Sequence, residues 1–380
     1  MHIIVAPNAF KGSLSAANAA QCIGEGLNQS NLPCTLTFFP IADGGDDITS
    51  LLIQGMHGEI IPVQVHNPLG SIITAGFGWI AAERKAIIGV SDASGLRLLK
   101  KSALDPLHAN TFGTGELIRA ALDKGARRLI LGVGGSATVD GATGLLKALG
   151  VCFYDKEEND IPDLPVGLLD LNTIDITGMD KRLSSCEITV LCDVQNKLLG
   201  HEGAARVFGP QKGAGKDDVL VLEKCLEQWN RITEDTIHFN MAALKYGGAA
   251  GGIAAGLAAY AGAALVSGIE FFLDEMHFDQ ALQQADLVIT AEGSIDEQTL
   301  EGKGPYGIAR RAKAKNIPVI GLAGYVPAET GEAMNFYFDK LISINPPDVS
   351  LEEAMKNTCN NLIRTARELG DQLAIESEAR

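Results

Sequence analysis

"LILGVGGSATVDG", residues 129–141, reads as an apolar strand that runs into a glycine turn and on toward a helix. A leucine- and isoleucine-rich run that ends in closely spaced glycines suits the carboxyl end of a buried parallel strand, where backbone N–H groups can gather on an anion. Gly132, Gly134 and Ala137 also satisfy the G-x-G-x-x-A form of the dinucleotide fingerprint, and Asp155 follows the strand-like "VCFY" about where a ribose-binding acid falls. Thr138 and Asp140 add a hydroxyl and a carboxylate that the fingerprint lacks. An unbridged carboxylate there would repel a pyrophosphate, and a metal between them would reverse the sign.

Working outward, short apolar runs at 2–6, 35–39, 128–133, 187–191, 286–290, 317–321 and 340–344 predict strands buried on both faces. Helical periodicity over 14–28, 114–124, 140–149, 218–235, 306–315 and 351–369 separates many of them, which predicts an α/β protein with parallel sheet. Residues 58–90 differ: consecutive strand-like runs with a turn at Asn67–Gly70 and no helix between predict an antiparallel meander. Both ends of the chain read as βαβα. The expected architecture is therefore one doubly wound domain from 1–60 and 280–380 with a second α/β domain, 61–279, inserted, and a cleft between the two as the ligand site.

Composition narrows the function classes. A chain of 380 residues with 46% hydrophobic and 21% charged residues has the material for two ordered cores. Its formal charge of −16 argues against nucleic acid or an anionic membrane as partner. Anionic ligands would then need local lysines, helix N-termini and a divalent cation. The seven cysteines are scattered and odd in number, and read as thiols of a reducing compartment; the opening "MHIIVAPNAF" reads as a first strand without the pattern of a signal peptide. The uncharged segment 246–269 is mostly Gly and Ala and reads as a close-packed helix or a glycine loop beside a ligand, not as a membrane span. A cytoplasmic protein is expected, with self-association into a homo-oligomer left open.

The loops after the predicted strands carry the chemistry. "PNAFKGSLSA" places Asn8, Lys11 and Ser13 before a helix, an arrangement for an anion, with Ser13 as the expected N-cap. "PIADGGDD" sets Asp43 beside Gly44 and Gly45. "AEGSIDEQTLEGKGP" brings Glu292, Gly293, Ser294, Asp296 and Lys303 into one stretch, and oxygen ligands beside a lysine are what a metal–phosphate site needs. "LCDVQNKL" contributes Asp193, and "FGPQKGAGK" contributes Lys212; the latter is no Walker A loop, because Pro210 and Asp217 stand where Gly and Ser or Thr are required. No Ser/His/Asp or Cys/His arrangement is evident.

Taken together, "APNAFKGSLSA" (6–16), "PIADGGDD" (40–47), "GVGGSATVDG" (132–141), "CDVQNKL" (192–198), "VFGPQKGA" (207–214), "DLVITAEGSIDEQT" (286–299) and "GKGPYGIA" (302–309) resemble the type I glycerate kinase family of bacteria, in order over nearly the whole chain. Ser294 departs from the arginine that many members have at that place. The resemblance implies a flavodoxin-like domain with an inserted α/β domain, ATP and Mg²⁺ as cofactors, and phosphorylation of D-glycerate at its 2-hydroxyl. The chemistry suits the residues. Lys11, Asn8, Ser13 and Lys212 are expected as anion contacts, with Gly44, Gly45, Gly293, Ser294 and Lys303 beside them. Asp43, Asp193 and Glu292 are candidates for general base, and Asp193, Glu292 and Asp296 for metal ligands. Gly134, Gly135, Ser136 and Thr138 are expected to cradle a phosphate or glycerate. The rival reading is an NAD(P)-dependent oxidoreductase of a small hydroxy acid built on the Gly132-Gly134-Ala137 turn.

Overall fold

The computed structural model describes residues 1–44, 48–346 and 348–378; Gly45 lies outside the described residues. In chain order the strands are β1 (His2–Pro7), β2 (Thr35–Phe38), β3 (Glu59–His66), β4 (Ile72–Ile80), β5 (Lys85–Gly89), β6 (Arg128–Gly132), β7 (Cys152–Tyr154), β8 (Thr173–Asp175), β9 (Glu187–Cys192), β10 (Ala264–Ser267), β11 (Leu287–Ser294), β12 (Val319–Tyr325) and β13 (Lys340–Ser343). The chain divides into two units, Met1–Asp43 with Ile269–Arg380, and Gly44–Gly268. These crossings fall earlier than 60 and 280. The helix Ile48–Gly55 already packs on β4 and β5, and the second unit closes once β10 has paired with β9.

In the first unit the sheet order is β2-β1-β11-β12-β13 and every pair is parallel. Phe38, Val5, Ile289 and Ile320 stand in register across four strands, so the carboxyl ends of β2, β1 and β11 lie side by side. Helix Ala16–Asn28 forms because Ser15 caps it through the Asn18 N–H and because Ala16, Ala19, Ala20, Ile23 and Leu27 recur on one face. That face meets Leu362, Ala366 and Leu369 of the helix Thr358–Glu378. Cys22 and Cys359 are joined across this contact at a Cα separation of 5.6 Å, so two of the cysteines expected as thiols form a disulfide. The pair is 337 residues apart, a separation that spacing arguments do not reach.

In the second unit the sheet order is β10-β9-β6-β5-β4-β3. β10, β9, β6 and β5 are parallel, while β5, β4 and β3 form the antiparallel meander. The meander turns at Asn67, whose side-chain oxygen accepts the N–H groups of Leu69 and Ser71. The dinucleotide reading fails at the next step. β7 joins β8 in a separate antiparallel pair and not the sheet that holds β6, and the helix after the glycine turn starts only at Thr143. Asp155 closes an exposed turn of its own by accepting the N–H groups of Glu157 and Asn159.

The glycine- and alanine-rich segment forms the helix Ala249–Ala261. Among the described residues no helix is long and apolar enough to cross a membrane. Its first turn is interrupted by three successive left-handed residues, Ala250, Gly251 and Gly252 (φ 54°, 71° and 94°). The interruption lets the backbone of Gly251 lie directly on the 138–141 segment: its carbonyl accepts the Gly141 N–H at 3.0 Å, and a Cβ there would stand 2.1 Å from the Thr138 carbonyl oxygen. Gly262 has a similar φ of 62° but nothing within 4 Å of an added Cβ. Gly251→Ala is therefore expected to destabilise the protein by more than the ~1–3 kcal/mol of a strained backbone position alone, and Gly262→Ala by no more than that. Urea unfolding of the two variants beside the parent protein checks the difference.

Candidate functional site

In the first unit the site grows from the carboxyl ends of β1, β2 and β11. The Asn8 N–H continues the β1 ladder by donating to the Ala291 carbonyl at 2.7 Å. Its buried side chain is engaged at both ends, Oδ1 accepting the Ala9 N–H at 2.9 Å and Nδ2 donating to Asp43 Oδ2 at 3.0 Å. Asp43 Oδ2 also accepts the N–H of Gly304 at 3.3 Å. Gly304 is the first residue of the helix Gly304–Lys313, and a Cβ there would fall 2.9 Å from Ile41 Cδ1 and 3.1 Å from Asn8 Nδ2, so a side chain would make both of these groups give way.

Glu292 lies within β11, 9% exposed, and its Oε2 is buried with no hydrogen-bond partner among the described residues. Burial first, and then the charge of Asp43, push its carboxyl up to about 8, against the pull of Lys303 and Lys11. Neither lysine has an ion-pair partner among the described residues. Two carboxyl groups in unlike environments beside two unpaired cations form a site that is polar, charged and held from several elements.

Other residues expected here have different tasks. The Ser13 hydroxyl donates to the Met355 carbonyl and meets the Thr358 hydroxyl at 2.7 Å, and the N-cap is Ser15. Ser13 thus ties its loop to the C-terminal helices and does not present its hydroxyl to an anion. Asp296 caps the short turn Glu297–Glu301 through the Gln298 N–H at 3.0 Å and accepts from Ser294 Oγ at 2.9 Å. These bonds explain both residues as parts of the turn. Gly293 has nothing within 4 Å of an added Cβ, which leaves open space next to Glu292.

In the second unit the turn after β6 is held on all sides. The Gly134 N–H donates to the Gly44 carbonyl, the Ala137 N–H to Ser94, and the Gly135 carbonyl accepts from Leu96. Between them the N–H groups of Gly135 and Ser136 donate to no backbone carbonyl among the described residues, and Gly135 has a φ of 66°. Gly44 packs closely on Asp193, whose Cβ would lie 3.0 Å from one added at Gly44. Asp140 has a structural task in this turn. It is fully buried and accepts from Thr111 N–H (2.8 Å), Thr111 Oγ1 (2.7 Å), Gly144 N–H (3.1 Å) and Ala142 N–H (3.3 Å). Burial raises its carboxyl while those donors pull it back. Thr138 is fully buried with its Oγ1 unpartnered, and Lys212, also buried, donates into the same turn.

Among the described residues no three His, Cys, Asp or Glu side chains come together to hold a metal ion; Glu292 and Asp296 stand in the first unit and Asp193 in the second. Mg²⁺ asks for less, since it keeps several waters and takes one or two carboxylates together with phosphate oxygens. The unpartnered Oε2 of Glu292 is a donor of that kind. Sequence reasoning did not single out Thr111, Gly251, Gly304 or Thr358; of these Gly251, in the Gly- and Ala-rich segment 246–269, and Gly304, in the "GKGP" start of a helix, carried a local signal.

Comparison with known proteins is consistent across the chain. The family model described as the glycerate kinase family matches residues 3–374. The chain is 40% identical over 375 residues to "Glycerate kinase" of Bacillus subtilis (strain 168), covering 99% of this chain and 98% of that one. It is 38% identical to "Glycerate 2-kinase" of Escherichia coli (strain K12), again over 99% and 98%. The fold matches the "Crystal structure of putative glycerate kinase 2 from Salmonella typhimurium LT2" with a TM-score of 0.84, 42% identity and coverage of 100% and 99%.

The environment of Glu292 predicts a stability signature. A carboxyl raised from its ordinary 4.5 to about 8 binds its proton more tightly in the native than in the unfolded state, so its contribution falls as pH rises from 4.5 to 8. Glu292→Gln removes that slope. The difference in unfolding free energy, parent minus variant, measured in urea without ligands, is expected to decrease across this window and to be flat below it.

Proposed function

Because the chain belongs to the glycerate kinase family, we propose that it transfers the γ-phosphoryl group of ATP to D-glycerate, at the 2-hydroxyl, in the cytoplasm. The observation that carries the reading is the set of two carboxyl groups and two lysines, without ion-pair partners among the described residues, at one edge of a parallel sheet. In open α/β sheets ligands bind beyond the carboxyl ends of the strands, where the strand order reverses. The order β2-β1-β11-β12-β13 reverses between β1 and β11, where Asn8 follows the end of β1 and Glu292 lies within β11. It supports a flavodoxin-like domain made by both termini, with the second α/β domain as an insertion.

Phosphoryl transfer demands positioning, neutralisation of charge and an acceptor for the hydroxyl proton. Asp43 is the proposed acceptor, because two donors orient its carboxylate before a substrate arrives. Asn8 serves Asp43 rather than the substrate. Lys11 and Lys303 take the phosphate oxygens, where charge builds in the transition state. Glu292 would hold Mg²⁺ in this unit and Asp193 is the candidate ligand in the other; bound Mg²⁺ supplies neutralisation of the phosphates. The Gly134–Gly135–Ser136 turn is proposed to receive an anionic group of one substrate on the N–H groups of Gly135 and Ser136.

With ATP, Mg²⁺ and D-glycerate, the purified protein should release ADP and form 2-phosphoglycerate, identified by phosphorus NMR. Absence of glycerate-dependent ADP release rejects the activity, and 3-phosphoglycerate as product rejects the regiochemistry. Asp43→Asn should lower kcat by about 10²- to 10⁴-fold with unchanged folding, whereas Glu292→Gln should raise the Mg²⁺ concentration that gives half-maximal rate. The opposite pattern would exchange the two roles.

A further inference from the structure

Lys212 ends the short turn Pro210–Lys212 and is 2% exposed. Its Nζ donates to Ser136 Oγ at 2.8 Å and to the Thr138 carbonyl at 2.6 Å. Among the described residues no carboxylate pairs with it. Asp140 is the charged group that faces it, and Asp140 is already engaged by its own donors on Thr111, Ala142 and Gly144. An amine withdrawn from water without a counter-ion is costly, and a methionine of similar length would fill the space without that cost. Packing therefore does not explain the amine. What it touches does: both of its acceptors belong to the turn whose Gly135 and Ser136 N–H groups stand without backbone carbonyl partners among the described residues.

We propose that Lys212 is a positioning residue of this kinase, acting through Ser136 to hold the anion-binding face of the Gly134–Ser136 turn and to place one positive charge behind it. The inference rests on the reading of that turn as a site for an anionic group of a substrate. An anion on the Ser136 side supplies the counter-charge that the buried amine lacks, so binding and protonation of Lys212 favour each other. In the ligand-free protein burial lowers its ammonium to about 7, with Asp140 pulling the other way. The charge is therefore sensitive to what binds.

Lys212→Met, Ser136→Ala and the double variant, assayed with ATP, Mg²⁺ and D-glycerate beside the parent protein, test this. Lys212→Met should melt at or above the parent temperature while kcat/KM falls by about 10- to 100-fold. Ser136→Ala should lose less, and the double variant no more than Lys212→Met, because the two residues act in series. The charged form is the useful one, so the ratio of parent to Lys212→Met kcat/KM should be highest below pH ~7 and fall as pH rises through it. The inference is overturned if Lys212→Met keeps kcat/KM within about twofold of the parent at every pH, if the single losses multiply in the double variant, or if Lys212→Met fails to fold, since the amine would then be a requirement of the fold. A parent protein without glycerate-dependent ADP release rejects the kinase reading itself, and this inference with it.

Discussion

Two hydrogen bonds into one oxygen, from the Asn8 amide and the Gly304 N–H to Asp43 Oδ2, organise the first unit's site. They join the ends of β1 and β2 to the start of the helix that follows β11. Each partner is where the sheet puts it: parallel strands in register bring their carboxyl ends to one edge, and a helix returning from that edge begins with free N–H groups. The contact depends on the missing side chain of Gly304. A Cβ there would press on Ile41 and on the Asn8 amide that holds the carboxylate. Glu292 follows from the same geometry, since a carboxyl one strand away, buried and beside a fixed acidic neighbour, stays protonated well above its ordinary range.

The second unit handles buried charge in two contrasting ways. Asp140 is surrounded by donors from Thr111 and from the start of the following helix, so its burial builds structure: it fastens the 140–144 corner to the beginning of helix Phe112–Lys124. Lys212 has two acceptors and, among the described residues, no counter-ion, so its burial leaves electrostatic demand unmet. Both act on one turn, from opposite ends. The platform beneath that turn is the run of left-handed residues at 250–252, which brings a backbone against the Thr138 carbonyl where a side chain would not fit.

Much of this was legible in the sequence because it is local. Buried parallel strands leave continuous apolar runs, so β1, β6, β9 and β11 stand within a few residues of their expected places, and the meander announced itself through the Asn67–Gly70 turn. The polar stretches that carry Asp43, Glu292 and Lys303 were legible for the same reason, as interruptions near strand ends, although β11 runs on through Glu292 to Ser294. Contacts across long separations were not. Ser13 answers to Met355 and Thr358, and Cys22 to Cys359, neither of which spacing reveals. The glycine turn after β6 imitated a dinucleotide fingerprint because that pattern records only a tight turn after a strand. It does not record whether the next strand rejoins the sheet, and β7 does not. Asp140 misled for a related reason: a carboxylate beside glycines looks like a ligand until its donors are known.

The overall charge of −16 and an anionic pair of substrates oppose each other, and the distances decide how that opposition is met. At physiological ionic strength screening acts over about 8 Å, so most of the surface carboxylates are not felt by a phosphate already in place. What counts is the charge within that radius and the dryness of the setting. Lys11 and Lys303 are left without ion-pair partners among the described residues, while Arg310 and Arg311, only a few residues further on, are tied to Glu270. Glu292, held neutral until it would take Mg²⁺, adds no negative charge to the same neighbourhood, and the cation would offset the charge it carries as a ligand. A protein this acidic can therefore offer a locally cationic pocket without any basic patch, provided that its cations are kept out of salt bridges and its nearest carboxyls are either pinned by donors or protonated.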